Sequence, residues 1–193
     1  MFFDLVFCLV AYLLGSFPSA YLTSRFFSGT DVTLKGSGNL GGMNVIRNVG
    51  WVPGLVTVLL DLAKGALAVR LAQAYGSWPS LPLLAAVLVV LGHNYMVFLG
   101  LRGGKGFAAV TGALLMLRPE AVLLLLVTMG LAILILRDAN LGAGVGTLSL
   151  PLIFWWLNGT GTAAAIGLLA SVAIMSRHRA DFEAYRRGRR QFL

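Results

Sequence analysis

Residues 81–107 read LPLLAAVLVVLGHNYMVFLGLRGGKGF. A long run with few polar side chains ends abruptly in a basic, glycine-rich turn, and a second apolar run follows at 107–117. A helix needs about 20 apolar residues to cross a bilayer core roughly 30 Å thick, and 81–100 has that length. The same alternation recurs along the chain. Apolar segments fall at 2–23, 51–72, 81–100, 107–117, 121–136, 145–157 and 162–176. Turn chemistry rich in Gly, Pro, Ser and Asn separates several of them, at GSWPS (76–80), RPE (118–120) and NGTGT (158–162). The last four segments are short, so they borrow flanking residues or sit in a thin bundle. The expectation is an all-α integral membrane protein, one membrane domain over 1–193. It is a bundle of about seven transmembrane helices, or six with one re-entrant segment.

Composition excludes the alternative of a soluble domain. Of the 193 residues 58% are hydrophobic and 11% charged, against roughly 25% charged in soluble domains. The mean hydropathy is +0.85. The net charge of +8 would suggest nucleic acid in a soluble protein. Here it distributes by the positive-inside rule. With the amino terminus outside, one side receives loops 24–50, 101–106 and 137–144 and the tail 177–193. That side holds Arg25, Lys35, Arg47, Arg102, Lys105, Arg137, Arg177, Arg179, Arg186, Arg187, Arg189 and Arg190; the other holds Arg118 and Arg70. The carboxyl terminus is therefore expected in the cytoplasm. The first apolar run lacks a basic leader and a clear cleavage site, so it is read as a retained span. Cys8 lies in that run, an apolar setting that disfavours the reactive thiolate.

The polar segments all fall on the cytoplasmic side. GSGNLGGMNVIR (36–47) carries glycines that let backbone N–H groups converge on an anion. Gly36, Ser37, Gly38, Asn39, Gly41 and Asn44 could form a phosphate cradle with Arg47 as a fork, or the glycines could serve only a tight turn. Gly103, Gly104 and Lys105 could make a second anion site before the helix at 107, or Arg102 and Lys105 could be plain interfacial anchors. RDANLGAG (137–144) and RHRADFEAYRRG (177–188) complete the set. His178 could be a base, a phosphate ligand or an interfacial residue; His93 reads as packed. Asp61 and Lys64, three apart on one helix face, read as a structural ion pair. The arginine run YRRGRRQ (185–191) suits anionic lipid headgroups; no nucleic-acid-binding motif accompanies it.

GSGNLGGMNVIR resembles the GSGN-x-G-x-TN-x-x-R segment of the bacterial acyl-phosphate-dependent glycerol-3-phosphate acyltransferases, the PlsY family. GHNY…F…GGKG and HR-x-x-F…G resemble that family's second and third cytoplasmic motifs, GSFPSAYL (15–22) its first span and D-x-x-KG (61–65) its second. The resemblance covers nearly the whole chain in order. It implies a multi-pass enzyme of the bacterial cytoplasmic (inner) membrane, active as a monomer. The reaction implied transfers a fatty acyl group from acyl-phosphate to glycerol 3-phosphate, without metal or other cofactor. By resemblance Ser37, Asn39, Gly41 and Asn44 bind acyl-phosphate, and Arg47, Lys105 and His178 hold glycerol 3-phosphate.

The chain departs from the family pattern at several positions. Met43 replaces a threonine, Met96 a proline, Asn140 and Ala143 two serines, Asp181 an asparagine, and Arg190 a glutamate. Asn140 and Asp181 still stand at substrate-facing positions of the pattern. Two readings follow: a divergent active enzyme, or a repurposed relative that binds or transports a phosphorylated molecule or anionic lipid.

Overall fold

The computed structural model describes residues 2–189; Arg190 and the rest of the tail lie outside the described residues. Eleven α-helices carry the described chain: α1 (Phe2–Ser16), α2 (Ser19–Ser28), α3 (Gly42–Asn48), α4 (Trp51–Tyr75), α5 (Leu81–Asn94), α6 (Phe107–Leu117), α7 (Pro119–Leu136), α8 (Ala139–Gly146), α9 (Leu150–Asn158), α10 (Gly161–Met175) and α11 (Arg179–Arg186). Four stretches are long and apolar enough to cross a membrane: Phe2–Ser28, Trp51–Tyr75, Pro119–Leu136 and Ala139–Asn158. Their outward faces carry large apolar side chains, among them Leu123, Val127, Leu134 and Ile135 on α7. In hydrocarbon such faces cost nothing, whereas backbone polar groups must be paired within the helix.

Three boundaries differ from those read in the sequence. The first apolar run continues to Ser28 but breaks at Pro18, which has no N–H to continue the ladder. The run 81–100 is helical only to Asn94; Tyr95–Arg102 then curls back, with the Leu99 and Leu101 amides donating to the Met96 carbonyl. Residues 137–144, expected as a loop, fold largely into α8. The Asp138 carboxylate caps it by accepting from the Leu141 amide at 2.8 Å.

Helices pack closely where side chains vanish. A Cβ on Gly15 or Gly92 would strike the facing backbone of α5 or α1, and one on Gly65 or Gly112 that of α6 or α4. Small residues at the seam bring helices together where no hydrophobic force acts between them. The main core runs through α1, α4, α5, α6, α7, α9 and α10. A second cluster of Ala20, Val32, Leu40, Val45 and Met96 lies beneath residues 32–45.

At one end of the bundle the Asp4 carboxylate accepts from the Ser77 amide and hydroxyl, both at 2.7 Å, closing α1 onto the 76–80 turn. From that turn α4 runs 25 residues and α5 only 14, about 37 Å against 21 Å. At the depth where α5 ends, α4 presents Asp61 and Lys64, both almost fully buried and 2.8 Å apart. The Asp61 carboxylate also accepts from the Ser19 hydroxyl at 2.9 Å and lies 3.4 Å from His93 Nδ1. The Lys64 ammonium donates to the Phe17 carbonyl at 3.1 Å, at the Pro18 break. The two form a buried pair, as their spacing suggested.

Asp61→Asn leaves the buried ammonium without its counter-ion and should cost about 3–5 kcal/mol, read as a lower Tm in detergent. Replacing both members by leucine and methionine should recover most of that loss.

Candidate active site

Two loops and two helix ends meet at the other end of the bundle. The first is 36–41. Gly36 and Gly38 adopt positive φ, +56° and +66°, which glycine takes at no steric cost. Asn44 holds this loop from inside. Its Nδ2 donates to the Lys35 and Val32 carbonyls at 3.1 and 3.5 Å, and its Oδ1 accepts from the Ser37 amide and Asn48 Nδ2 at 3.2 and 3.0 Å. Two donors and two lone pairs are the whole capacity of an amide. Asn44, expected to bind substrate, is thus spent on the loop itself. The reason is burial: an interior amide must satisfy every polar atom. Ser37 is exposed, and its hydroxyl accepts from the Asn39 amide at 3.3 Å. Gly41 precedes α3 in extended conformation, and Arg47 is exposed on α3.

The second loop, 102–106, lies on the end of α5. The Gly104 amide donates to the His93 carbonyl at 3.0 Å. A Cβ at Gly103 would strike the His93 and Asn94 carbonyls, and one at Gly104 the His93 ring. α6 begins only at Phe107, after Gly106 in the left-handed region. The expected helix-start amides at Gly103 and Gly104 therefore lie before the helix, and that of Gly104 is already committed. What the glycines provide is close approach. Leu40 donates its amide to the Gly103 carbonyl at 3.4 Å, joining the two loops. Met96 fills the small apolar cluster with Leu40 and Val45 just beneath, which accounts for a large flexible side chain at that position.

Lys105 projects from this loop into a polar cluster. Its ammonium is 2.7 Å from the Asp181 carboxylate of α11 and 3.5 Å from Asn140 Oδ1 in the first turn of α8. Arg177 closes the cluster from below, donating from Nε and an Nη to the Gly104 and Gly103 carbonyls at 3.2 and 3.1 Å while stacking on Tyr95. Arg177 was counted in the sequence only as one of many tail cations. Its place beside His178, at the inward turn of a span, was the one available signal.

His178 is buried, edge-on to Phe107 at 5.4 Å between ring centroids, and a Cβ on Gly144 would meet its ring at 2.9 Å. Its Nδ1 lies 2.9 Å from the Ile174 carbonyl. A carbonyl only accepts, so Nδ1 carries the proton and the neutral ring offers a lone pair at Nε2. That atom is buried without a hydrogen-bond partner among the described residues. Burial holds the His178 pKa below its ordinary value, reinforced by Lys105 and Arg177 and opposed by the Ile174 bond and Asp181. The structure thus gathers Lys105, Asn140, Asp181 and His178 together. It keeps Gly36, Ser37, Gly38, Asn39 and Gly41 on the adjoining loop, and, among the described residues, Arg47 makes no ion pair with the cluster. Such a grouping offers cations for an oxyanion and a neutral base for a hydroxyl.

Residues 5–188 match the family model described as glycerol-3-phosphate acyltransferase. The chain belongs to that family. The glycerol-3-phosphate acyltransferase of Carboxydothermus hydrogenoformans is 38% identical over 93% of this chain and 91% of its own. Glycerol-3-phosphate acyltransferase 2 of Moorella thermoacetica is 41% identical over 75% and 74%. The crystal structure of PlsY (YgiH), an integral membrane glycerol 3-phosphate acyltransferase, in its glycerol 3-phosphate form aligns with a TM-score of 0.85 at 28% identity. That alignment covers 97% of this chain and 94% of that one. This member of the acyltransferase family is thus an integral membrane protein whose fold is that of PlsY.

Two outcomes test the site. Gly104→Ala should displace the Lys105 loop and lower acyltransferase activity by roughly 100-fold, and it should lower Tm as well, because the added Cβ meets the buried His93 ring beside Asp61. His178 binds its proton less readily when folded than when unfolded. Its contribution to stability is therefore complete above the ordinary value of 6.5 and lost as pH falls below it. Thermal unfolding between about pH 8 and about pH 5 should show this decline, and His178→Gln should flatten it.

Proposed function

We propose that this chain transfers a fatty acyl group from acyl-phosphate to glycerol 3-phosphate, releasing 1-acyl-glycerol 3-phosphate and inorganic phosphate. The observation that carries the reading is the gathering, at one end of the bundle, of the Lys105 cluster and the buried His178 ring, whose Nε2 has no hydrogen-bond partner among the described residues. The glycerol hydroxyl oxygen attacks the acyl carbon, and its proton passes to Nε2. The new carbon–oxygen ester bond forms as the bond between acyl carbon and phosphate oxygen breaks. Phosphate leaves with the electron pair and takes the proton on release. Acyl-phosphate is a mixed anhydride, so its leaving group is already good and no acyl-enzyme is needed. Cys8 supports this reading, being in α1 about 12 Å along the axis from the site end. Positioning and charge neutralisation supply the catalysis. Lys105 holds the glycerol 3-phosphate phosphate together with Arg47, and the 36–41 loop holds that of the donor.

The same reading has seven crossings: the bent α1–α2, then α4, α5, α6, α7, the continuous α8–α9, and α10. The amino terminus lies outside and the site on the cytoplasmic face of a bacterial inner membrane. The concentration of arginine and lysine at the site end supports this orientation, as does a water-soluble phosphorylated acceptor. The protein works as a monomer.

The test is acyl transfer by purified protein in lipid, with palmitoyl phosphate or palmitoyl-CoA and glycerol 3-phosphate. Mass spectrometry should detect lysophosphatidic acid from palmitoyl phosphate alone. Lys105→Met should lower the rate by roughly 100-fold or more. Product from palmitoyl-CoA alone would overturn the donor, and no product from folded protein would favour a non-catalytic relative.

A further inference from the structure

Asp181 is the acidic side chain that meets the Lys105 ammonium, and its pairing differs in kind from that of its neighbour on α11. Glu183 pairs with Arg187 at 3.8 Å, both about two-thirds exposed, 68% and 69%. Asp181 pairs with Lys105 at 2.7 Å, with side chains only 16% and 18% exposed. The first is a solvated pair of little consequence. The second joins α11, following the last apolar helix, to the loop between α5 and α6, and it neutralises the cation on which phosphate binding depends. Arg177 does not replace that cation, because its guanidinium is turned onto the Gly103 and Gly104 carbonyls.

We propose that Asp181 is an internal counter-anion of Lys105, so that the acceptor's phosphate binds by exchanging with the Asp181 carboxylate. The inference rests on the glycerol 3-phosphate reading above and deepens it. While the pair is closed, an incoming anion meets a neutral site flanked by a carboxylate. A phosphate monoester carries a charge between about −1.5 and −2 near neutral pH, nearly twice that of a carboxylate. It therefore wins the ammonium where a monoanion does not. Asp181, in the first turn of a surface helix with exposed Phe182 and Arg186 on its outer side, returns to water. The carboxylate thus weakens acceptor binding and sharpens selection for dianions. Asp181 acts through Lys105 and is a positioning residue.

Calorimetry needs no acyl donor. It would measure glycerol 3-phosphate and, separately, inorganic phosphate on the purified wild type and on Asp181→Asn, Asp181→Ala and Asp181→Glu. The same titrations would be run on Lys105→Met with and without Asp181→Asn. Asp181→Asn should bind both probes about fivefold more tightly or better and lower the acceptor KM correspondingly. Asp181→Glu, which restores the anion, should return toward wild type. In the Lys105→Met background the effect of Asp181→Asn should vanish, which a merely structural role for Asp181 would not produce. Asp181→Ala should tighten binding as Asp181→Asn does, so a folding defect in one variant leaves the other decisive. Unchanged or weaker binding in both would overturn the inference, as would a difference that persists without Lys105. Tightening for inorganic phosphate with no binding of glycerol 3-phosphate would sustain the counter-anion and overturn the acceptor reading instead.

Discussion

The ion pair between Asp61 and Lys64 fixes where everything else stands. Charges in hydrocarbon are expensive, and this pair is tolerated because further partners surround it. Ser19 donates to the carboxylate, the Phe17 carbonyl receives the ammonium, and His93 stands on the far side. Each partner comes from a different element: the Pro18 break, α2, and the end of α5. The pair therefore pins three segments at one depth. His93 in turn receives the Gly104 amide on its carbonyl and leaves room only for a glycine against its ring. The position of Lys105 is set by a chain of contacts that begins at a buried carboxylate.

The site is consequently supported from two sides. Arg177 and His93 grip the 102–106 loop, while the cluster of Val32, Leu40, Val45 and Met96 carries the 36–41 loop. Only the Leu40–Gly103 contact is described between the two backbones. Met96, bridged to Arg102, belongs to that same cluster, so the two loops also share a support. Met43 is more than half exposed at the start of α3, which fits a position where a threonine gives way to methionine.

The membrane-bound, all-helical character of the chain was legible because apolar runs of sufficient length leave few alternatives. The boundaries were less so. Residues 95–100 are as apolar as a helix requires, yet they curl, and the turn buries Met96 beside Leu40. Residues 137–144 look like a glycine-rich loop, yet Gly142 and Gly146 let α8 lie directly against the α7 backbone. In the site, Lys105, Asn140, Asp181 and His178 were legible as polar residues of separate segments, and the fold brings them together. Asn44 was read as a ligand because a sequence does not tell an inward amide from an outward one. Arg177 was lost among the many other basic residues assigned to one face, since charge alone does not reveal which guanidinium turns onto a carbonyl.

The shortness of α5 has a topographic consequence. Lys105 hangs from a helix that ends about 15 Å below the first residues of α4, so the first turns of α4, with α2 and α3, stand above it as a parapet. Reactants that meet behind such a wall arrive by different kinds of diffusion. One that is anchored in the bilayer searches a plane. One dissolved in water searches a volume and must clear that wall. Crowding on the membrane would therefore slow the search in the plane more than the search in the volume.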